Sequence, residues 1–325
     1  ETEFNSLWKK FDNYEIEPAD LQKFENSATR VGGSKILELY GNKNKFILGG
    51  SADLAASTKQ IISTKFYSPT SLDGQSIEYG IREHAMAAVT NGINLHSKLF
   101  AYCSTFLVFS DYMRPSIRIA SLMGLNTSFI FTHDSIYLGE DGPTHQPIEH
   151  LMSLRLIPGL DVVRPSNSVE LNYSYRYLFS NTKNPKALCL TRQDSLYLDY
   201  EIAYEEFIQG AFVISEGSDL TIFASGSEVE LAINIKNELK EFSVQLVSAP
   251  ILNKVNEGIL ENLNLTENIF TIELGRSIGW NSYLKNVKES FSIDRFGESA
   301  PQDDLMEFFE FDVISISKKI RSYLN

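Results

Sequence analysis

The sequence predicts an α/β fold of two domains, each a mainly parallel sheet flanked by helices. Three observations carry this. Short apolar runs rich in β-branched and aromatic residues alternate with amphipathic helical stretches along most of the chain. With 325 residues, 43% of them hydrophobic, the chain can fill more than one core. A weakly periodic, acid-rich stretch at 194–219 interrupts the alternation, which then resumes.

Residues 1–27, with "FNSLWKKFDNYEIEPADLQKF", are acidic and loosely periodic and predict a lead-in segment with short helices. The first domain, 28–200, opens on the helical "SATRVGGSKILELYG". Its predicted strands are "KFILGG", "SIEYGI", "KLFAYC", "SFIFTH", "DVVRP" and "KALCLTR", apolar on both faces as in a sheet covered on both sides. "EHAMAAVTNGINLH" and "SDYMRPSIRIASLMGL" are helices between them. In the second domain, 201–325, the predicted strands are "LTIFASG", "VQLVSAP" and "IFTIELG", followed by a closing helix in "DDLMEFFEFDVISISKKIRSYL".

A net charge of −13 argues against nucleic acid or a membrane surface as partner. An anionic substrate stays open, because a few arginines in a cleft dominate the field locally. There is no signal peptide and no apolar run long enough to span a bilayer. The start "ETEFNSLWKKF", without Met, reads as a fragment or a processed chain. Cys103 and Cys189 sit in strand-like runs and read as buried thiols in a reducing compartment, the cytoplasm.

Candidate chemistry concentrates in the first domain. All five histidines fall between 84 and 150, and "GEDGPTHQPIEH" at 139–150 gathers acids and imidazoles on a stretch that suits neither helix nor strand. Spacing and ligand types do not match a zinc site. In "YGIREHAMAAV", a helix begins at about Arg82 after a strand and a glycine turn, with Glu83 in its first turn, facing the strand ends. Glu83 is equally an acid favouring the helix dipole or a carboxylate that burial makes ready to share a proton with a ligand base. Phe106, Phe109 and Tyr112, at spacing three, read as one face of a helical turn, either core or a wall for a flat heterocycle. Arg30 and Arg192 lie beside Thr29 and Thr191, where a phosphate clamp is reasonable. "SGSEVELA" is an ordinary strand-to-helix connection or an anion-holding helix start.

Taken together, "GGSADLAAST", "YGIREHAMAA", "STFLVFSDYMRPSIR", "FTHDSIYLGEDGPTHQPIEHL", "VVRPSNSVE" and "LTRQ" resemble transketolase, in the order that family shows them. "TIFASGSEVELA", "VSAP" and "FGESAP" continue the resemblance through the second domain. It implies a thiamine diphosphate-binding pyrimidine domain followed by a transketolase C-terminal domain. The implied activity is transfer of a two-carbon ketol unit from a ketose phosphate to an aldose phosphate in the pentose phosphate pathway. Xylulose 5-phosphate, ribose 5-phosphate and erythrose 4-phosphate would be its substrates. Glu83 would hydrogen-bond the cofactor's aminopyrimidine ring and promote the imino tautomer that removes the thiazolium C2 proton. Phe106, Phe109 and Tyr112 would hold that ring, with Asp53 and Leu54 beside it at a subunit interface. His133, Asp141 and His145 would contact the sugar, His145 with a catalytic part. Arg30, Ser57 and Arg192 would clamp its terminal phosphate.

Departures from the family pattern are Ala55 and Ala56, where Thr-Pro is usual, and the bulky Tyr137. No Gly-Asp-Gly occurs in the chain, although the family's diphosphate domain carries it. The resemblance therefore implies that the Mg²⁺ or Ca²⁺ ligands lie in an N-terminal domain missing here, that a homodimer forms in the full-length protein, and that this chain alone is inactive. Alternatives are a 1-deoxyxylulose-5-phosphate synthase, a two-chain keto-acid dehydrogenase β subunit, and a non-catalytic dimerisation module. "FTHDS", "GIREH" and the Arg30/Arg192 pair favour transketolase over the first, and "THDS" with "DGPTHQ" over the second.

Overall fold

The six strands predicted for the first domain form one wholly parallel sheet in the computed structural model, which describes residues 16, 19–97, 99–195, 198 and 200–324. They are β1 (Ile47–Ser51), β2 (Ser76–Glu78), β3 (Phe100–Phe106), β4 (Ser128–Thr132), β5 (Asp161–Val163) and β6 (Lys186–Leu190). Their order across the sheet is β2-β1-β3-β4-β6-β5. Every residue of β3, β4, β5 and β6 is buried, polar Ser104, Thr105, Asp161 and Lys186 included, and these strands read as mainly apolar runs. Side chains alternate between two cores. Tyr102, Ile130 and Leu188 pack with Ile36 and Tyr175, whereas Cys103, Phe131 and Cys189 pack on the other face with Met86 and Ile117. Both thiols are free, and burial pushes Cys103 up to about 12, so neither is poised to react.

The second sheet is mixed. β7 (Phe212–Ser215), β8 (Leu220–Ala224), β9 (Val244–Ser248), β10 (Ile269–Ile272) and β11 (Val287–Phe291) lie in the order β11-β10-β8-β9-β7, with β7 antiparallel to β9. The two strands missed from the sequence are the two edges. Most of their residues are only partly buried, so "FVIS" and "VKESF" give weak apolar signals. The closing helix is in fact two, Gln302–Phe308 and Val313–Leu324, parted by a turn in which Glu310 takes φ +51°. Of the lead-in, residues 1–15, 17 and 18 lie outside the described residues, and 19–27 form no helix. That stretch is laced to the helix Ser168–Leu178: Asn172 exchanges hydrogen bonds with the Gln22 backbone at 3.0 and 2.8 Å, and Ser168 with that of Phe24 at 2.9 and 3.0 Å. No described helix is long and apolar enough to cross a membrane.

Between the two sheets lie buried ion pairs. Arg155 forks onto Glu273 at 2.7 and 2.8 Å, and Trp280 Nε1 donates to the same carboxylate at 3.0 Å. Removing one partner of such a pair strands a buried charge. Arg155→Met is therefore expected to lower the unfolding free energy by about 3–5 kcal/mol, read as a shifted urea midpoint at unchanged slope. A loss below about 1 kcal/mol would mean that Glu273 does not depend on this partner.

Candidate functional site

β1, β3, β4 and β6 are neighbours and parallel, so the chain leaves all four along one edge of the sheet, where open α/β folds hold ligands. Four of the predicted residues sit at or just past these ends: Asp53, Phe106, His133 and Arg192. Asp53 and His133 both adopt left-handed backbone, φ +60° and +59°. Asp and His are among the non-glycine residues that enter this region most readily, and here both stand just past the ends of β1 and β4.

A cavity of about 440 Å³ opens at this edge, lined by Ala52, Asp53, Leu54, Ile81, Glu83, Phe109 and Tyr112. Glu83 lies in the first turn of the helix Glu83–His96, as expected, and is its first residue, but it is partly exposed. The apolar enclosure expected around it is not supplied by this chain. The aromatic residues also differ from expectation. They share no helix face, because Phe106 ends β3, Phe109 closes a 3₁₀ turn, and Tyr112 belongs to the helix Ser110–Leu122. Their rings nevertheless run in file, Phe106 to Phe109 at 5.7 Å and Phe109 to Tyr112 at 6.2 Å. Phe106 does not line the cavity. It backs Phe109 and lies 3.7 Å, centroid to centroid, from the His133 ring.

Beside the cavity is a basic cluster. Thr29 and Thr191 exchange backbone-to-hydroxyl bonds at 2.9 and 2.8 Å, fastening the segments that carry Arg30 and Arg192. Arg30 donates to the backbone carbonyl of Ser57, while its buried Nε has no partner. Burial first, and then the like charge of Arg192, pull the Arg30 pKa down, with Asp194 opposing. An anion between the two guanidinium groups would relieve both effects. His133 is held neutral, its pKa depressed to about 3 by burial and then by Arg30, Arg192 and His145. Its Nδ1 pairs with Thr132 Oγ1 at 2.8 Å.

Stability linkage follows with a definite sign. The unfolded chain takes up a proton near the ordinary histidine value of 6.5 that folded His133 refuses until about pH 3. Stability from this group is complete above pH 6.5 and is lost as pH falls towards 3. Asparagine tolerates φ +59°. Against His133→Asn, the wild type is therefore expected to lose up to about 1.4 kcal/mol per pH unit through that window. A gap between the two that does not change with pH, in urea titrations, would refute this.

Residues 139–149 are a loop as expected, turning on Gly139 and Gly142 at φ +88° and +75°, while His150 opens the helix His150–Arg155. Buried Gln146 pins it, donating through Nε2 to the carbonyls of Ile136 (3.2 Å), Gly139 (3.1 Å) and Glu298 (2.9 Å). His145 bonds Thr144 Oγ1 at 2.9 Å and stands edge-on to Phe106 and Phe109. Asp141 is exposed, and no hydrogen bond or ion pair joins it to the other site residues among those described. "SGSEVELA" proves an ordinary connection, since the helix start is occupied by the chain's own Glu228, bonded by Arg164, Ser227 and Leu274. Sequence reasoning passed over Asp134 and Arg164. No local pattern marks them: Asp134 lies two residues past β4 and Arg164 directly follows β5.

The family described as "Transketolase, pyrimidine binding domain" matches residues 25–196, and "Transketolase-like TK C-terminal domain" matches 210–312. The transketolase of Bacillus subtilis is 38% identical over 94% of this chain and 48% of its own length. Among solved structures, Campylobacter jejuni transketolase is 33% identical at a TM-score of 0.89, over 98% of this chain and 50% of that one. The Pichia stipitis transketolase complexed with sedoheptulose-7-phosphate is 29% identical at 0.90, over 99% and 50%. The chain thus spans about half the length of the curated relatives it matches here. Matched by these two family models over 25–196 and 210–312, and folded like the solved transketolases, this chain belongs to the transketolase family.

Proposed function

We propose that this chain is the pyrimidine-binding and C-terminal part of a thiamine diphosphate-dependent ketol transferase. The observation that carries the reading is one edge on which an aromatic and acidic cavity adjoins a basic, imidazole-bearing cluster. The cavity residues fit the cofactor's aminopyrimidine: Phe109 and Tyr112 offer ring faces, Leu54 and Ile81 apolar contact, and Glu83 and Asp53 carboxylates for ring nitrogens. When bound, thiamine diphosphate supplies the nucleophilic carbon that accepts and hands on a two-carbon unit. Glu83 shares a proton with the ring. Neutral His133, with His145, offers both donor and acceptor to sugar hydroxyls. Arg30 and Arg192, spaced by the Thr29–Thr191 lock, hold the terminal phosphate against Ser57, and Asp141 reads the sugar's stereochemistry from the loop. Xylulose, ribose and erythrose phosphates are the substrates proposed, in line with the sugar phosphate bound by the Pichia enzyme.

The diphosphate and its Mg²⁺ or Ca²⁺ are assigned to a further domain outside the two matched here. A second copy is assigned to the face where Ile81, Val89, Leu95, Ile119, Leu122 and Met123 lie exposed on and beside the helices Glu83–His96 and Ser110–Leu122. The same cover would enclose Glu83.

The experiment is ketol transfer from xylulose 5-phosphate to ribose 5-phosphate with thiamine diphosphate and Mg²⁺, for the chain alone and with a separately expressed diphosphate-binding domain. Activity only in the mixture is expected. Activity in neither would count against the reading.

A further inference from the structure

We infer that the second domain sets the geometry of the first domain's site, with Asp134 and Arg164 as positioning residues for His133. This deepens the ketol-transfer reading and rests on it. His133 holds left-handed backbone immediately before Asp134, so whatever fixes Asp134 fixes the peptide that aims the imidazole. Asp134 is fixed from behind. Its Oδ2 accepts from Arg164 Nε at 2.8 Å, with both side chains wholly buried.

Arg164 follows β5 and reaches into the second domain. Nη1 donates to the Ser225 carbonyl at 2.7 Å and to Glu228 Oε2, and Nη2 to Glu228 Oε1 at 3.2 Å. Its backbone is pinned too, the amide donating to Pro250 O at 2.8 Å and the carbonyl accepting from Gly226 at 3.1 Å. Gly226 is glycine for this approach, since a Cβ there would fall 2.7 Å from Arg164 Nε, at a position with φ +62°.

A buried carboxylate–guanidinium–carboxylate chain is poor evidence for stability, because a packed apolar cluster often serves as well. What the charges add is direction. Bidentate pairing fixes the Arg164 plane, and that plane fixes the Asp134 carboxylate. The line runs from Ser225 and Glu228, at the end of β8 and the start of the following helix, to the backbone beside the substrate histidine.

A double-variant cycle in the complete holoenzyme tests this. Asp134→Asn keeps the shape and removes the charge. It is expected to lower kcat/KM for ketol transfer by about tenfold. His133→Asn tolerates the backbone but shortens the side chain, and is expected to cost more. If Asp134 acts through His133, the double variant is no worse than His133→Asn alone, within about twofold. The same fractional loss in both backgrounds would show an independent structural defect and overturn the inference. So would wild-type kcat/KM in Asp134→Asn. If Asp134→Asn does not fold, Glu228→Gln enters the same cycle with the same expectations.

A readout free of activity runs in parallel. Asp134→Asn is expected to shift the ring resonances of His133 while those of His84 and His96 stay in place. An unmoved His133 overturns the inference whatever the turnover. A wild-type holoenzyme that transfers no ketol unit would instead sink the reading beneath it, with the resonances still deciding the positioning.

Discussion

Glu83→Gln is expected to lower kcat of the complete holoenzyme at least about a hundredfold, the lower part of the range for losing a positioned proton-transfer group. Glutamine keeps the size and an acceptor oxygen but cannot take up and return a proton. The cost to folding is small. Glu83 occupies the first turn of its helix, where a negative charge is worth about 0.3–1 kcal/mol against the dipole. Thermal unfolding of the variant should therefore stay close to wild type, separating lost chemistry from lost structure. Near-normal turnover would move the role to Asp53, the other carboxylate lining the cavity. Enclosure adds a second condition. Glu83 is partly exposed beside Ile81, which is itself 78% exposed, so the apolar surround must come from whatever covers that face. A charge placed there, as in Leu122→Glu, is expected to weaken self-association and turnover together.

What the sequence made legible follows from burial. β4 and β6 are covered on both faces, so each appears as a mainly apolar run that gives way to polar residues at its carboxyl end. His133 and Arg192, just past the ends of β4 and β6, could be placed at one edge by topology alone. Glu83 was legible for a related reason, since a strand, a glycine turn and a periodic helix start fix its position. The edge strands β7 and β11 were not, because half-exposed residues carry mixed polarity. The aromatic file was misread because spacing three fits a helical turn, whereas here it crosses a strand end, a 3₁₀ turn and a helix start. The Asp134–Arg164 pair lies 30 residues apart and joins the ends of different strands. Only tertiary structure brings the two charges together, and no local pattern marks them.

Arg192→Ala is expected to raise KM for phosphorylated sugars by roughly 10- to 100-fold, the range of a lost charge-assisted contact of about 1.5–3 kcal/mol. KM for hydroxypyruvate, a donor without phosphate, should move little. The split follows from where the charge stands. Arg192 is exposed just past β6, while Arg30 is half-buried with an unpartnered Nε and is disfavoured by its neighbour's charge. Two guanidinium groups held together by the Thr29–Thr191 lock are costly until an anion lies between them. Removing Arg192 relieves that repulsion, so the variant should fold at least as stably as wild type even as it loses its substrate. Arg192→Lys keeps the charge but loses the planar fork, and is expected to recover only part of the affinity. An equal rise in KM for both donors would show that Arg192 shapes the site in general and does not grip phosphate. The pair would then be a structural contact between helix start and strand end, and Arg30 alone would have to hold the anion.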